Sequence, residues 1–320
     1  MKRGKILVIR GGAIGDFVLT LPVLTALRRR FPQTQLEVLG YPHIASLTFA
    51  GGLVDAVHSI EARSLAGFFA RHGQLDASLA DYFANFAIIL SYLYDPDGIF
   101  QENVARCSTA QFIAGPHRPD EKLSRHATET FLKPLERLAI FDNEATPRLE
   151  LADMDSALPA NGRWLALHPG SGSEQKNWPE KNWSLLVAHL LAATDLNLLL
   201  VGGEAEGARL ERLAGMAAFR RIQLARSLPL TELARRFHRC AGFIGHDSGI
   251  THLAAAVGLP CLALWGASNA TVWRPLGEHV TILRAPDGLE KLPVERVLIE
   301  LADFLSQRVR EGVIHARKFD

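Results

Sequence analysis

Cysteine is scarce in this sequence, and neither sign of charge dominates it. The 320 residues contain three cysteines, Cys107, Cys240 and Cys261, an odd number at wide spacing. That pattern excludes a disulfide framework and a cysteine-based metal site, and it is typical of a reducing cytoplasm. The formal net charge is +1, from 35 Lys and Arg against 34 Asp and Glu. A general nucleic-acid binder, which would carry a strong basic excess, is therefore disfavoured.

Long apolar runs are also missing. The segment after Lys2, Arg3 and Lys5 holds four apolar residues before Arg10 interrupts it, too few for the core of a signal peptide. No run approaches the length of a membrane span, and no short-period repeat or low-complexity tract is present. A hydrophobic share of 48% with 22% charged residues is that of a globular protein. We therefore expect a soluble, cytoplasmic protein with about two domains.

The sequence does contain short apolar runs that alternate with helical patterns. The runs predict strands near 5–10, 36–40, 55–60, 86–93, 111–114, 163–168, 196–201, 221–225, 241–245, 260–265 and 279–283. The patterns between them predict helices near 16–30, 43–50, 75–84, 122–139, 180–193, 204–216, 229–238, 249–257 and 291–310. This alternation favours parallel sheets covered by helices. Breakers and a loss of periodicity over 141–162 predict a linker there, with domains of 1–158 and 159–320.

A glycine-rich turn, Arg10-Gly11-Gly12-Ala13-Ile14-Gly15-Asp16, follows the first predicted strand. Gly12 and Gly15 occupy the second and third glycine positions of a dinucleotide fingerprint, but Arg10 replaces the first. The acid expected at the end of the second strand is also missing, since Glu37 falls mid-strand. Asp16 has two interpretations: an acid that stabilises the start of a helix, or a carboxylate that accepts a proton from an attacking hydroxyl.

A second polar segment, 168–179, follows the first strand of the second half. Its glycines and the hydroxyls of Ser171 and Ser173 could cradle a phosphate, with Lys176 as a point charge. The order of these residues differs from that of a Walker A loop. The alternative is a polar connection in which Trp178 and Pro179 begin the next helix.

The second glycine turn, Gly245-His246-Asp247-Ser248-Gly249, also joins a strand to a helix. Asp247 or Ser248 can cap that helix, which leaves the amides of residues 249–251 directed at an anion. His252, one turn further, could reach the same anion or simply pack in the core. Glu204 ends another strand and could bind ribose hydroxyls, or it could be an ordinary first-turn acid.

Other chemistry lacks the residues it needs. His168, His246 and His252 do not have metal-ligand spacing with Cys or acidic partners. The sequence has no Gly-x-Ser-x-Gly elbow and no cysteine with a clear histidine partner. Hydrolytic chemistry is therefore disfavoured.

Together these segments resemble glycosyltransferase family 9, the bacterial ADP-heptose:lipopolysaccharide heptosyltransferases. The matching pieces extend over nearly the whole chain. They are Ile9-Arg10 through Gly15-Asp16 with Leu21-Pro22, His168-Pro169-Gly170, Lys176-Asn177-Trp178-Pro179, Val201-Gly202-Gly203-Glu204, Gly245 through Ala256, Gly258-Leu259-Pro260 and Leu264-Trp265-Gly266.

The resemblance implies an α/β protein with the GT-B fold, two facing Rossmann-like domains with parallel sheets. The N-terminal domain would bind the acceptor and the C-terminal domain the nucleotide sugar. Asp16 would be the general base of an inverting transfer, in an acceptor-side loop with Arg10, Gly12 and Gly15. No metal or other cofactor is implied, because the ADP-sugar is itself a substrate. The last helix, 291–310, could pack back on the N-terminal domain.

The resemblance also assigns the donor site and the partners. The diphosphate would be neutralised by Ser171 or Ser173, by Lys176 and by the helix start at Ser248-Gly249. Glu204 would hold the ribose, while Asp247 and His252 would line the donor site. The acceptor would be a lipopolysaccharide core or related glycolipid, which implies peripheral contact with the inner face of the cytoplasmic membrane.

One segment departs from the family pattern. Family members often carry an acid and a glycine-containing turn after an N-terminal strand near the acceptor, whereas this chain reads Phe86 through Gly98 without that match. The identity of the acceptor, and of the sugar, is therefore less constrained than the chemistry. The alternatives are another nucleotide-sugar donor or glycan acceptor, an NAD-dependent oxidoreductase, and a nucleotide-sugar-binding protein without catalysis.

Overall fold

A computed structural model of the protein describes residues 4–141, 144–151, 158–159, 162–204, 206–215 and 221–310, with side chains of the last helix through Phe304. The chain divides into two compact units, Met1–Ala152 and Asp153–Asp320. The sequence predicts that division at 158/159. Most of the residues that join the units lie outside the described ranges.

The first unit is built on a five-stranded parallel sheet. Its strands are β1 (Lys5–Arg10), β2 (Gln35–Gly40), β3 (Ala56–Ser59), β4 (Ile88–Ser91) and β5 (Gln111–Ala114), in the spatial order β3-β2-β1-β4-β5. Leu7, Ile9 and Ile89 of the two central strands are fully buried, as expected for strands covered on both faces. All five strands lie where the sequence predicts them.

The helices of the first unit differ from the prediction in three places. They are α1 (Ile14–Val18), α2 (Leu21–Arg30), α3 (Pro42–Ala50), α4 (Ala77–Ala84), α5 (Ile99–Ala105) and α6 (Ala127–Leu132). The single helix predicted for 16–30 is divided into α1 and α2. The chain restarts at Thr20 because Pro22, in the first turn of α2, lacks the amide that would continue α1. The helix predicted for 122–139 consists of α6 between 3-10 turns (Glu121–Leu123 and Lys133–Leu138), and α5 was not predicted from the sequence.

The second unit contains a six-stranded parallel sheet. Its strands are β6 (Trp164–His168), β7 (Asn197–Gly202), β8 (Ile222–Arg226), β9 (Cys240–His246), β10 (Cys261–Trp265) and β11 (Val280–Arg284), in the order β11-β10-β9-β6-β7-β8. This is the strand order of a Rossmann fold, and it reverses direction between β6 and β9. All six strands were predicted from the sequence.

Helices cover both faces of the second sheet, as the buried strands require. They are α7 (Glu180–Ala193), α8 (Gly207–Ala214), α9 (Leu230–Phe237), α10 (Gly249–Ala256), α11 (Ala270–Trp273) and α12 (Val294–Arg310). The short α11 was not predicted. Val297, Leu301 and Phe304 of α12 are buried in the same core as β6 and β7. A contact of the end of α12 with the N-terminal domain stays a prediction. Among the described residues, no helix combines the length and apolar character that crossing a bilayer requires.

Candidate functional site

The carboxyl ends of β6 and β9 define the strongest candidate site in the second unit. Ligands of open parallel sheets bind outside the carboxyl ends of the strands, at the point where the strand order reverses. His168 at the end of β6 pairs in register with Gly245 of β9. The loop after β6 carries Lys176, and the turn after β9 carries Asp247. Two segments separated in the chain therefore meet at the predicted ligand crevice.

An ion pair connects these two segments. Lys176 Nζ lies 2.6 Å from Asp247 Oδ2, and the side chain of Asp247 is only 13% exposed while that of Lys176 is 46% exposed. The carboxylate holds the ammonium at the carboxyl edge of the sheet, where it remains accessible to an anionic ligand. The sequence proposed both residues separately, and the structure places them in direct contact.

Ser248 caps α10 and leaves two amides at its start. Ser248 Oγ accepts a hydrogen bond from Thr251 N at 3.3 Å. The prediction that three amides, 249–251, are available to an anion is therefore wrong for Thr251, because the cap already satisfies it. The amides of Gly249 and Ile250 have no intrahelical acceptor. With the helix dipole, they make this helix start suited to negative charge.

The hydroxyls of the loop after β6 are less available than the sequence suggested. Ser171 Oγ lies 2.9 Å from Ser173 O and 2.7 Å from Asn177 Oδ1, so it is used within the loop. Ser173 is exposed and precedes the 3-10 turn Glu174–Lys176 without capping it. Ser171 therefore stabilises the loop, and Ser173 is open to solvent.

Arg209 of α8, which the sequence analysis did not single out, holds the same loop from outside. Its guanidinium donates to Pro169 O at 3.0 Å and to Glu174 Oε2 at 3.0 Å, and it lies 3.6 Å from Glu180. The hydrogen bond from Arg209 lowers the pKa of Glu174, together with one from Asn177. No local pattern marks this arginine, because its partners lie one or two elements away.

Three histidines lie in the core beneath the site. Burial, with His246 as a secondary cause, lowers the pKa of His168 to about 3, and its Nδ1 lies 3.3 Å from Ser248 Oγ. His252 is 5% exposed and lies on the first turns of α10. His246 is fully buried at the end of β9 and contacts the loop after β6. From the sequence, His246 was considered only as a metal ligand, and its contact with this loop was missed.

Two glutamates follow β7: Glu204, which the sequence proposes for ribose binding, and Glu206, which it does not. Glu204 is exposed at this edge. Glu206 instead accepts a hydrogen bond from Gly203 N at 2.9 Å. A Cβ on Gly170 would lie 2.5 Å from Glu206 Oε1, so only glycine permits this carboxylate to lie against the loop after β6. Glu206 therefore connects the end of β7 to the loop after β6, while the ribose role predicted for Glu204 stays a prediction.

Asp16 lies in the first turn of α1, at the carboxyl end of β1 in the first unit. Its Oδ2 accepts a hydrogen bond from Ala13 N at 3.1 Å, and its side chain is 30% exposed. Gly12 has φ +96°, and a Cβ there would lie 3.0 Å from Asp16 Oδ2. The turn therefore needs glycine at 12 both for its left-handed backbone and for the approach of the carboxylate. Gly15 lies within α1 itself.

Arg10, predicted in the acceptor-side loop, is a buried support for Asp16. Its guanidinium donates to His117 O at 2.9 Å and to Asp16 O at 3.2 Å, and lies 3.7 Å from Asp16 Oδ1. The rings of Phe131 and Tyr92 lie 4.4 Å and 5.6 Å from it. Burial lowers the pKa of Arg10 while Asp16 opposes this shift, so the carboxylate and the rings stabilise a desolvated cation.

Two acidic residues of the first unit, Glu37 and Asp95, are relevant to the oxidoreductase alternative and to the acceptor-side segment. Glu37 is buried mid-strand, where it accepts from Lys5 and Tyr82 and contacts His58, so it is not free to hold a ribose. After β4, Asp95 accepts from the amides of Phe100 and Gln101 and begins α5. The acid in the departing segment thus has a local structural role. Among the described residues, no group of three or more His, Cys, Asp or Glu side chains is placed to hold a metal ion.

Comparison with a solved structure defines the class of fold. The ADP-heptose LPS heptosyltransferase II of Escherichia coli superposes with a TM-score of 0.78 at 17% identity, covering 95% of this chain and 99% of that one. The two parallel α/β sheets are therefore those of the GT-B fold.

The sequence comparisons identify the family. The profile of glycosyltransferase family 9 (heptosyltransferase) matches residues 122–296, more than half of the chain. The chain belongs to this family and is a glycosyltransferase. A putative glycosyltransferase of Haemophilus influenzae is 22% identical over 94% of this chain and 96% of its own length. Lipopolysaccharide heptosyltransferase 3 of E. coli K12 is 24% identical over 94% of each chain. Family membership shows that the oxidoreductase alternative is wrong.

Proposed function

We propose that this protein is an inverting, metal-independent glycosyltransferase that transfers a heptose from ADP-heptose to a lipopolysaccharide core acceptor. The observation that carries the proposal is the Lys176–Asp247 pair at the reversal of strand order, beside the start of α10. Membership of the family and the names of the relatives support this choice of donor and acceptor class.

The second unit has the charges that a nucleoside diphosphate needs. Lys176 offers an accessible ammonium, and the amides of Gly249 and Ile250 offer donors at the positive end of a helix dipole. Glu206, fixed against Gly170 and Gly203, offers a carboxylate to ribose hydroxyls at the neighbouring strand end. Glu204, the sequence prediction for this role, lies two residues away and is exposed. In the proposal, Asp247 and His252 also belong to this donor site.

The first unit supplies the base. Asp16 is partly exposed and has one carboxylate oxygen on the Ala13 amide, so the carboxylate retains lone pairs for a hydroxyl proton. In the transfer, the acceptor oxygen forms a bond to the anomeric carbon as its proton passes to Asp16. The bond from that carbon to the diphosphate oxygen breaks with its electron pair, and ADP leaves. Attack opposite the leaving group inverts the anomeric configuration.

The leaving diphosphate gains negative charge as this bond breaks. In the proposal, Lys176 and the start of α10 stabilise that charge, and preorganised electrostatic stabilisation of this kind is usually the largest single contribution to catalysis. In this scheme Asp247 limits the mobility of Lys176 before the donor binds. The scheme assigns no step to a metal ion.

The acceptor is the less constrained half of the proposal. A core glycolipid would be presented at the inner face of the cytoplasmic membrane, and the protein would meet it as a peripheral enzyme. The segment after β4, where Asp95 caps α5, does not reproduce the family pattern. A different glycan acceptor is therefore the second candidate.

A donor and acceptor screen tests the proposal. Purified protein is incubated with ADP-heptose, ADP-glucose, UDP-sugars or GDP-sugars, each with a panel of truncated core glycolipids, and products are measured by mass spectrometry. We expect a mass increase of one heptosyl unit that requires ADP-heptose and a core acceptor. Protein without acceptor is the control for donor hydrolysis.

The outcomes separate the parts of the proposal. Transfer from a UDP-sugar, or preference for UDP over ADP in calorimetry, would contradict the donor. Transfer from ADP-heptose to a glycan outside the core would contradict only the acceptor. Binding of ADP-heptose without any product across the panel would favour a nucleotide-sugar-binding protein.

A further inference from the structure

The loop between β6 and α7, residues 169–178, carries the cation of the donor site on an exposed stretch of chain. Lys176 is 46% exposed, and Gly172 at φ +73° has no neighbouring atom near its missing Cβ. Loops of this kind are costly to order when a ligand binds. The two ends of the loop must therefore be held by other contacts if Lys176 is to bind a diphosphate at a defined position.

The side chain of His246 contacts both ends of this loop. Its Nε2 lies 2.9 Å from Trp178 N, and its Nδ1 lies 3.2 Å from Gly170 O. A backbone amide can only donate and a carbonyl can only accept. Nε2 is therefore the unprotonated nitrogen and Nδ1 carries the hydrogen. The imidazole is neutral, in one tautomer, with both nitrogens used.

The surroundings of His246 maintain this neutral state. The side chain is fully buried at the end of β9, and the ring of Trp183 lies edge-on at 5.4 Å. Burial is the main cause that lowers the pKa of His246 to about 4, while the Gly170 carbonyl and the charge of Asp247 oppose the shift. Trp183 and Trp178 also pack perpendicular to each other. The ring therefore has a rigid apolar wall on the α7 side.

We infer that His246 is a positioning residue of the donor site: its buried side chain connects both ends of loop 169–178 to β9 through hydrogen bonds. Its neighbour Asp247 then holds Lys176 at the crevice. The inference rests on the proposed function, because it assigns the ordered loop to diphosphate binding. Arg209 ties Pro169 and Glu174 from the opposite side, so loss of His246 loosens the loop without releasing it entirely.

Three variants distinguish positioning from a general role in packing. His246→Leu removes both hydrogen bonds, and His246→Gln keeps one donor and one acceptor in its amide. Trp183→Phe alters the same apolar wall but makes no hydrogen bond to the loop, so it is the matched control. Each variant is compared in thermal stability, in hydrogen–deuterium exchange of residues 169–178, and in affinity for ADP by calorimetry.

The expected pattern is specific. His246→Leu should raise exchange across the loop and weaken ADP binding about 10- to 100-fold, the size expected when buried backbone groups lose their partners. His246→Gln should recover most of that affinity. Trp183→Phe should lower the melting temperature while ADP affinity stays near wild type.

Two results would overturn the inference. One is wild-type ADP affinity in His246→Leu despite a loosened loop. The other is a loss of affinity in all three variants that merely follows their loss of stability. Absence of ADP binding by the wild-type protein is a different result, because it would refute the proposed donor and, with it, the role given to the loop.

Discussion

Replacement of Asp16 by asparagine is the sharpest perturbation available in the first unit. Asparagine has the shape of aspartate and keeps an oxygen that can accept the Ala13 amide, now 3.1 Å from Asp16 Oδ2. It cannot take up a proton from an attacking hydroxyl at neutral pH. The substitution therefore removes the proposed base while leaving the start of α1 intact.

The structure indicates the size of each effect. A positioned general base contributes about 10²- to 10⁴-fold to a rate, so kcat should fall by that factor, or about 3–5 kcal/mol in transition-state stabilisation. The stability cost should be about 1–3 kcal/mol, because the lost charge is partly exposed but lies 3.7 Å from the buried guanidinium of Arg10. Arg10 keeps its bonds to the carbonyls of His117 and Asp16.

The assay compares kcat for heptosyl transfer, ADP affinity and melting temperature in wild type, Asp16→Asn and Asp16→Ala. Both variants should lose transfer, and both should bind ADP as wild type does. Asp16→Ala should in addition lose about 0.5–2 kcal/mol of stability, because its side chain cannot accept the Ala13 amide. Retention of more than about one tenth of wild-type kcat by Asp16→Asn would refute the role of Asp16 as general base.

Three further variants test the remaining parts of the site. Lys176→Ala should weaken ADP binding about 10-fold or more and also lower kcat, since a charge-assisted contact to phosphate is lost; normal ADP affinity would remove Lys176 from the diphosphate site. Glu206→Gln should weaken ADP binding about 10-fold and Glu204→Gln less than about 2-fold, and the reverse order would restore the sequence prediction for Glu204. Gly12→Ala should cost about 1–2 kcal/mol of stability, because alanine is strained in the left-handed backbone conformation of residue 12. It should also slow transfer, since the added Cβ displaces the Asp16 carboxylate, while ADP affinity stays unchanged. A transfer rate equal to wild type would show that the close packing of Gly12 against Asp16 is not required.

Features encoded by consecutive residues were predictable. The central strands are short apolar runs buried on both faces, and the eleven strands among the described residues were each located from the sequence. Helix starts were harder, because a proline can either begin a helix or interrupt one. Pro22 divides the predicted helix 16–30 into two. Helix α5 follows Gly98, which has a left-handed backbone conformation, and the acid that caps this helix, Asp95, lies outside it.

Individual residues of the candidate site were proposed from the sequence, but the contacts between them were not. Lys176 and Asp247 were both proposed as donor-site residues, yet their contact joins positions 71 residues apart. The Thr251 amide, predicted to be available to an anion, is instead satisfied by the Ser248 side chain. Glu206 was missed because its carboxylate, besides accepting from Gly203 N, lies where a Cβ on Gly170 would be, across a neighbouring strand end.

The sequence by itself therefore determined that this is an α/β protein with two glycine-rich turns. Its motifs, through their resemblance to the family, proposed Asp16 and Lys176 as residues of the reaction. Those properties depend on periodicity and on residues next to each other in the chain. Only the tertiary structure decided which strand ends are neighbours. It also decided that Arg10, which donates to the His117 carbonyl, contacts Asp16, and that His246 contacts both ends of the loop that carries Lys176. The physical reason is that these contacts depend on strand order and on donors and acceptors contributed by distant segments, which no local pattern records.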